Sequence, residues 1–297
     1  MDIRNVQKTG NMHYVYLPTS WCKKHNITSS SKVSLNIETD GKLSIIPQLT
    51  EKKERHIKLN VAEKDMNILI KLIVACYINP TTSFKITLEK EADFTRLLNQ
   101  KELTGGLDLI EVDGNHISYE SPLSVINPDS LLKIMIRKIK NLISIKKEGG
   151  YEELINKYED EIDKSHFLID KSVISSLTFA DPNINIKHVD LFYIGIISQN
   201  LEGLADHIIL LNKSETAFLN KILEIVGSLQ KIIEDLSDSK LKKLEHETAI
   251  DFAKMVLRLG EIKVKDIESY NRKRVKKALV NISDVLIDWS ITKKIED

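Results

Sequence analysis

The sequence predicts a multidomain, mostly α fold: a β-rich N-terminal domain, a small α/β middle domain and a helical C-terminal half. Three observations predict it. A chain of 297 residues exceeds what one compact core usually holds. All six prolines (Pro18, Pro47, Pro80, Pro122, Pro128 and Pro182) fall at or before 182, so no proline breaks a helix after that point. The first fifty residues, in contrast, alternate apolar with polar and are rich in β-branched and aromatic side chains.

Residues 1–50 read as strand, short helix, hairpin. "HYVYLP", "KVSLNIE" and "KLSIIP" have strand periodicity, and Asp40-Gly41 between the last two is a hairpin signal. "TSWCKKHNI" reads as a short helix behind Pro18, with Thr19 or Ser20 as its cap and Trp21 in the core of the module. Residues 55–121 read β-α-β-α-β-β. The strands are "RHIKLNV", "SFKITLE", "LDLIEVD" and "HISYE", and the helices are "AEKDMNILIKLIVACYI" and "EADFTRLLNQKEL". Six helices are predicted from Pro128 onward, over about 129–148, 150–177, 187–212, 214–236, 239–259 and 266–293. Their short connections predict antiparallel neighbours.

Composition narrows the function classes. With 42% apolar and 29% charged residues, the chain suits a folded, helix-rich protein rather than disorder. Basic and acidic residues balance at 43 each, so net charge points to no partner and only local clusters can. Cys22 and Cys76 lie in different segments, which argues against a disulfide framework and fits a reducing cytoplasm. "MDIRNVQKTG" lacks the apolar core of a signal peptide, and no uncharged apolar run reaches spanning length. A cytoplasmic location without membrane insertion is therefore expected.

The chemistry-bearing pattern is a set of carboxylate pairs. Residues four apart share a helix face. Glu159 and Asp163 in "YEDEIDKSHFLID" form one such pair, and Glu202 and Asp206 in "NLEGLADHIILL" form another on the next helix. Two antiparallel helices can bring these four acids to one seam, where they repel unless a multivalent cation coordinates them. His166, three residues after Asp163, is a further candidate ligand, whereas His207 is not. Glu247 and Asp251 in "HETAIDFAK" and Asp284 and Asp288 in "NISDVLIDWS" repeat the spacing, so the six helices read as two copies of a three-helix unit. A solvated helix face is the ordinary account of one such pair, and its recurrence on successive helices is what favours metal. "HETAI" is not a zinc-protease motif, because Ile250 stands where the second histidine is needed.

These motifs resemble the PhoU family of phosphate-uptake regulators, which pairs an acidic-acidic-Glu-Ile-Asp helix with a Leu-Glu-Arg-Ile-x-Asp-His helix. Glu159-Asp160-Glu161-Ile162-Asp163 and Leu201-Glu202-Gly203-Leu204-Ala205-Asp206-His207 carry the resemblance over about 128–297. It implies PhoU-like tandem three-helix bundles that bind divalent or trivalent metal ions (iron, zinc, manganese or magnesium). Gly203 replaces the family's arginine, Asp284 its glutamate and Trp289 its histidine. "RNVQKTGNMHYVYLPTSWCKKHNITSSSKVSLNIETDGKLSIIP" resembles an AbrB/SpoVT-type swapped-hairpin domain, with "SSS" at 29–31 where a Lys-Gly turn is common. That resemblance implies an intertwined homodimer that binds DNA. The whole arrangement is similar to archaeal-type phosphate-uptake regulators.

Arg4, Lys8, Lys23 and Lys24 are the candidate DNA-binding residues, since Asp2 is the one acid before residue 27 and a dimer doubles the charge. "NRKRVKK" at 271–277 is a solvated helix start, or a dock for nucleic acid, an acidic partner or phosphate. Three functions fit. One is a phosphate-responsive DNA-binding regulator. The second is a non-DNA-binding adaptor that restrains a phosphate transporter ATPase or signalling protein. The third, a di-metal enzyme, fits least: no nucleophile elbow, phosphate loop or dinucleotide turn is present, and Asp163-x-x-His166 has no counterpart on the next helix. The expectation is a regulator and not an enzyme.

Overall fold

The computed structural model describes residues 3–37, 41–47, 55–90, 110–120, 127–178, 186–237 and 244–296. The protein is mostly helical, with small sheets toward its N-terminus. It divides into two compact units, Met1–Lys53 and Glu54–Asp297.

In the first unit, β1 (Gln7–Thr9) pairs antiparallel with β2 (Met12–Tyr14), so the expected strand "HYVYLP" is strand only at its beginning. Pro18 sits at the start of α1 (Thr19–Lys24), where its missing N–H costs nothing. β3 (Val33–Ile37) pairs antiparallel with β4 (Leu43–Pro47); Asp40 of the expected turn lies outside the described residues. None of the described residues of this unit is buried. Trp21, expected in its core, is only half-buried and tilts against His25 at 5.2 Å. Ile3, Val6, Met12, Leu35, Ile37 and Leu43 are all more than half exposed.

The second unit begins with β5 (His56–Val61), α2 (Met66–Ile78) and β6 (Ser83–Leu88), a parallel β-α-β crossover. Asp65 caps α2 by accepting from the Asn67 N–H at 2.8 Å. The hairpin of β7 (Ile110–Asp113) and β8 (His116–Glu120) completes a sheet of order β5-β6-β8-β7, with β8 antiparallel to β6. The expected helix in "EADFTRLLNQKEL" lies outside the described residues. Tyr77, Phe84, Ile86, Ile117 and Tyr119 form the core of this layer.

Among the described residues, six α-helices follow: α3 (Pro128–Glu148), α4 (Glu152–Thr178), α5 (His188–Ile209), α6 (Thr216–Ser237), α7 (His246–Leu257) and α8 (Ile267–Glu296). Leu132, Met135, Ile136, Ile139, Leu142 and Ile143 recur at helical spacing and give α3 a fully buried stripe. α3 packs against α4, α5 and α6, α5 against α4 and α8, and α7 against α6 and α8, around one continuous core. α3 ends at Gly149, whose φ of 73° suits a residue without a Cβ and whose cap is closed by the Gly150 N–H to Ile145 O bond of 2.9 Å. α7 is shorter than expected: residues 238–243 lie outside the described set and Leu244-Glu245 is not helical.

The α/β layer and the helices belong to one compact unit. Phe167 of α4 packs against the sheet-layer core. Lys171 of α4 lies 4.3 Å from the centre of the Tyr77 ring and donates to Tyr119 Oη at 3.4 Å; burial pushes its ammonium down to about 8.

Candidate metal centre

α4 and α5 run antiparallel, which sets Glu159 near Asp206 and Asp163 near Glu202. The helices meet through Ile162 and Ile169 on α4 and Leu201, Ala205 and Ile208 on α5, all fully buried. Each of Asp163, Glu202 and Asp206 follows one of these core residues by one position, about 100° around the helix. That rotation carries the carboxylates out of the core but only as far as the crease between the helices, where they are half-buried.

Asp163, Glu202 and Asp206 each offer a carboxylate oxygen, and these oxygens lie within 4.8 Å of one another. Asp163 Oδ1 is buried without a hydrogen-bond partner. Burial is the first cause that pushes the Asp163 carboxyl up to about 7, followed by the charges of Glu159, Glu202 and Asp206. Burial again comes first for Glu202, also pushed up to about 7, with Asp206, Glu159 and Asp170 adding repulsion. Glu159 is raised by burial and then by Asp206 and Asp160. Asp206 is raised by burial, against the pull of His207 and His166.

Lysine compensation goes elsewhere. Lys138 and Lys164 reach Glu161, at 2.9 and 3.3 Å, and hold that carboxyl below its usual range. Glu161 is two residues from Asp163, so the same helix carries a neutralised acid and a group of crowded ones. Crowded, partly desolvated carboxylates with an orphaned oxygen make a hard, all-oxygen donor set.

His166 does not join this group. Its Nδ1 lies 3.0 Å from Ser198 Oγ and its Nε2 3.5 Å from Asp170 Oδ2, so both ring nitrogens face other partners. Its place is beside the carboxylates rather than among the converging oxygens. Ser198, His166 and Asp170 have the residue types of a hydrolytic triad, yet Ser198 is fully buried in mid-helix, 3.5 Å from Met135 Sδ, and out of reach of a substrate. Asp170, raised by burial and lowered by His166, escaped the sequence reading. It continues the stripe Glu159, Asp163, His166 by a further four residues, and that periodicity was the available signal.

His207 is bound elsewhere. Arg274 Nε donates to its Nε2 at 3.1 Å, which leaves Nδ1 to donate to Asn271 Oδ1 at 3.1 Å.

The second set of acids is not gathered. Glu247, Asp251, Asp284 and Asp288 are all exposed, and no two of them share a group of converging ligand atoms among the described residues. Asp251 pairs with Lys254 at 3.0 Å and Glu247 with His246 at 2.9 Å. Glu245, His246 and Glu247 do cluster, as consecutive residues at the largely exposed start of α7. Trp289 is an anchor: its Nε1 donates to Asp190 Oδ1 at 2.7 Å, Lys293 donates to Asp190 Oδ2 at 2.7 Å, and its ring stacks on Tyr193.

Arg4, Lys8, Lys23 and Lys24 are all exposed on the N-terminal unit, Lys8 in β1 and Lys23 and Lys24 in the last turn of α1. No protein-family model matches the chain, and no curated protein or solved structure is significantly similar to it.

Proposed function

We propose that this chain is a metal-binding, phosphate-responsive regulator of phosphate uptake that acts on DNA as a homodimer. One observation carries the metal part: three carboxylates converge within 4.8 Å beside an orphaned, buried Asp163 oxygen. Asp163, Glu202 and Asp206 would hold the ion, with Glu159 next to them. A bound cation would cancel their mutual repulsion and lock α4 to α5. With His166 turned to Ser198 and Asp170, the donors are carboxylate oxygens, which favours iron, manganese or magnesium over zinc. The link to phosphate rests on the resemblance to PhoU-type regulators.

Dimerisation draws support from the N-terminal unit. Its described residues bury nothing, while eight of its large hydrophobic side chains are more than half exposed. A second copy laid on that surface would supply the missing core. Arg4, Lys8, Lys23 and Lys24 would then be doubled, within reach of a phosphate backbone. The same apolar surface also suits the adaptor reading, in which the unit only dimerises.

Metal analysis of protein purified without chelator tests the seam: equal, low metal in wild type and in a Glu202→Ala/Asp206→Ala variant would sink that part. Binding to the chain's own upstream DNA across a salt series tests the rest. The regulator reading expects Lys8→Ala/Lys23→Ala to weaken binding and flatten its salt dependence. A dimer without DNA affinity that retains a transporter ATPase would favour the adaptor.

A further inference from the structure

We propose that the corner where α7 turns into α8 docks on an anionic lipid surface. Residues 257–277 hold eight basic and three acidic residues in a chain whose formal net charge is zero. Arg258, Lys263, Lys265, Lys273 and Lys277 are all exposed. Among them stand three aliphatic side chains that the fold leaves in water: Leu257 at 67% exposure, Val264 at 49% and Ile267 at 72%.

The corner is held in this form. Gly260, with φ 68°, turns the chain out of α7, and Lys276 Nζ donates to the Gly260 carbonyl, tying the turn to α8. The Lys265 and Asp266 N–H groups donate to Ser269 Oγ, and the Ser269 N–H donates to Asp266 Oδ1 at 2.7 Å. Two of the three acids are thereby occupied with backbone: Asp266 at Ser269, and Glu268 accepting from the Asn212 N–H at 2.6 Å. The corner therefore exposes aliphatic side chains interspersed with cationic ones along the chain.

Charge complementarity requires an anionic partner, and the aliphatic tips decide which kind. Phosphate-backbone and base contacts use cations, polar groups and stacking rings, none of which Leu257, Val264 or Ile267 supplies. The tips project from a chain reversal rather than line a groove, so they do not offer the trough that a peptide helix requires. Shallow burial of aliphatic tips among lipid headgroups, flanked by lysines drawn to anionic lipid, satisfies both features. No helix among the described residues is long and apolar enough to cross a membrane, and peripheral docking requires none.

The test is co-sedimentation of the full chain with vesicles of phosphatidylcholine alone or mixed with phosphatidylglycerol. Binding is expected with the mixed vesicles, several-fold less with phosphatidylcholine alone, and loss with rising salt. Val264→Asp/Ile267→Asp is expected to weaken binding about tenfold, and Lys263→Glu/Lys265→Glu to weaken it and flatten the salt dependence. All four side chains are exposed, so an unchanged circular-dichroism melt accompanies each variant. Failure of the full chain to bind mixed vesicles overturns the proposal. So does binding that neither variant changes, which would place the lipid contact on another surface. If the variants instead lower the molecular mass in solution, or abolish binding of a polyglutamate peptide while vesicles are ignored, the occupant is a second copy or an acidic protein.

Discussion

The α4–α5 acids and the α7–α8 acids share one spacing and differ in surroundings. Glu159/Asp163 and Glu202/Asp206 lie in a crease, half-buried; burial raises all four carboxyls, and neighbouring carboxylates raise Glu159, Asp163 and Glu202 further. Glu247/Asp251 and Asp284/Asp288 lie in water. The offset from the buried stripe accounts for the difference. Glu202 and Asp206 each come one residue after a core position, Leu201 and Ala205, whereas Asp284 and Asp288 each come two after Ile282 and Leu286. One step is about 100° of helix and points into the crease; two are about 200° and point away from it. An i, i+4 pair thus establishes that two acids share a face, and the phase against the core establishes which face.

The sharpest way to break this comparison is to remove acids from each set. Asp163→Ala/Glu202→Ala is expected to lower affinity for manganese or ferric ion by about 100-fold or more, since loss of groups behind the ligands alone costs 10–100-fold. Glu247→Ala/Asp284→Ala is expected to leave titration calorimetry at the first site unchanged. Equal losses in both variants would mean that the second set also binds, and the phase argument would fall.

Trp289 probes the second set from the other side. It stands where the first set has His207, and it fastens α8 to the start of α5 through Asp190. Trp289→Phe removes a donor to a charged acceptor and part of the stack on Tyr193, at a cost of about 2 kcal/mol, while metal binding stays as it was. A melt that does not move would show that the Lys293–Asp190 pair alone holds this end.

The pH dependence of the metal-free protein probes the first set. Asp163 and Glu202 have folded pKa values of about 7, above the usual carboxyl range. Between that range and pH 7 the folded state holds more protons than the unfolded state. Stability therefore falls as pH rises through this window; the penalty is complete above pH 7 and absent once both states are protonated. Because both groups are partly exposed, solvent screening limits the effect to the order of 1 kcal/mol. Asp163→Asn/Glu202→Gln should flatten the melting curve against pH. Metal binding must displace those protons, so affinity is expected to drop below about pH 7.

Much of the bundle was legible because proline and helical period speak directly about helices: five of the six predicted segments lie within a few residues of the observed ones. The converging carboxylates were legible for the same reason. What escaped depended on long-range contact. His166 had the right spacing for a ligand, and Ser198 and Asp170 turned it away. Trp21 had the character of a core residue, but the N-terminal unit buries none of its described residues. The β1–β2 hairpin is only three residues a side, too short to announce itself by alternation.

Gly203 tests how far the crease tolerates change. It sits in mid-helix between Glu202 and Asp206, where a glycine costs backbone entropy and packs nothing. A Cβ built there meets no atom within 4 Å. Gly203→Ala is therefore expected to stabilise the protein by about 0.5–1 kcal/mol and to leave metal affinity unchanged. A thermal melt and a metal titration on the same sample read both quantities. If the melt rises while affinity falls, the position beside Glu202 must stay open for the ion, and the crease is narrower than the one-residue offset implies.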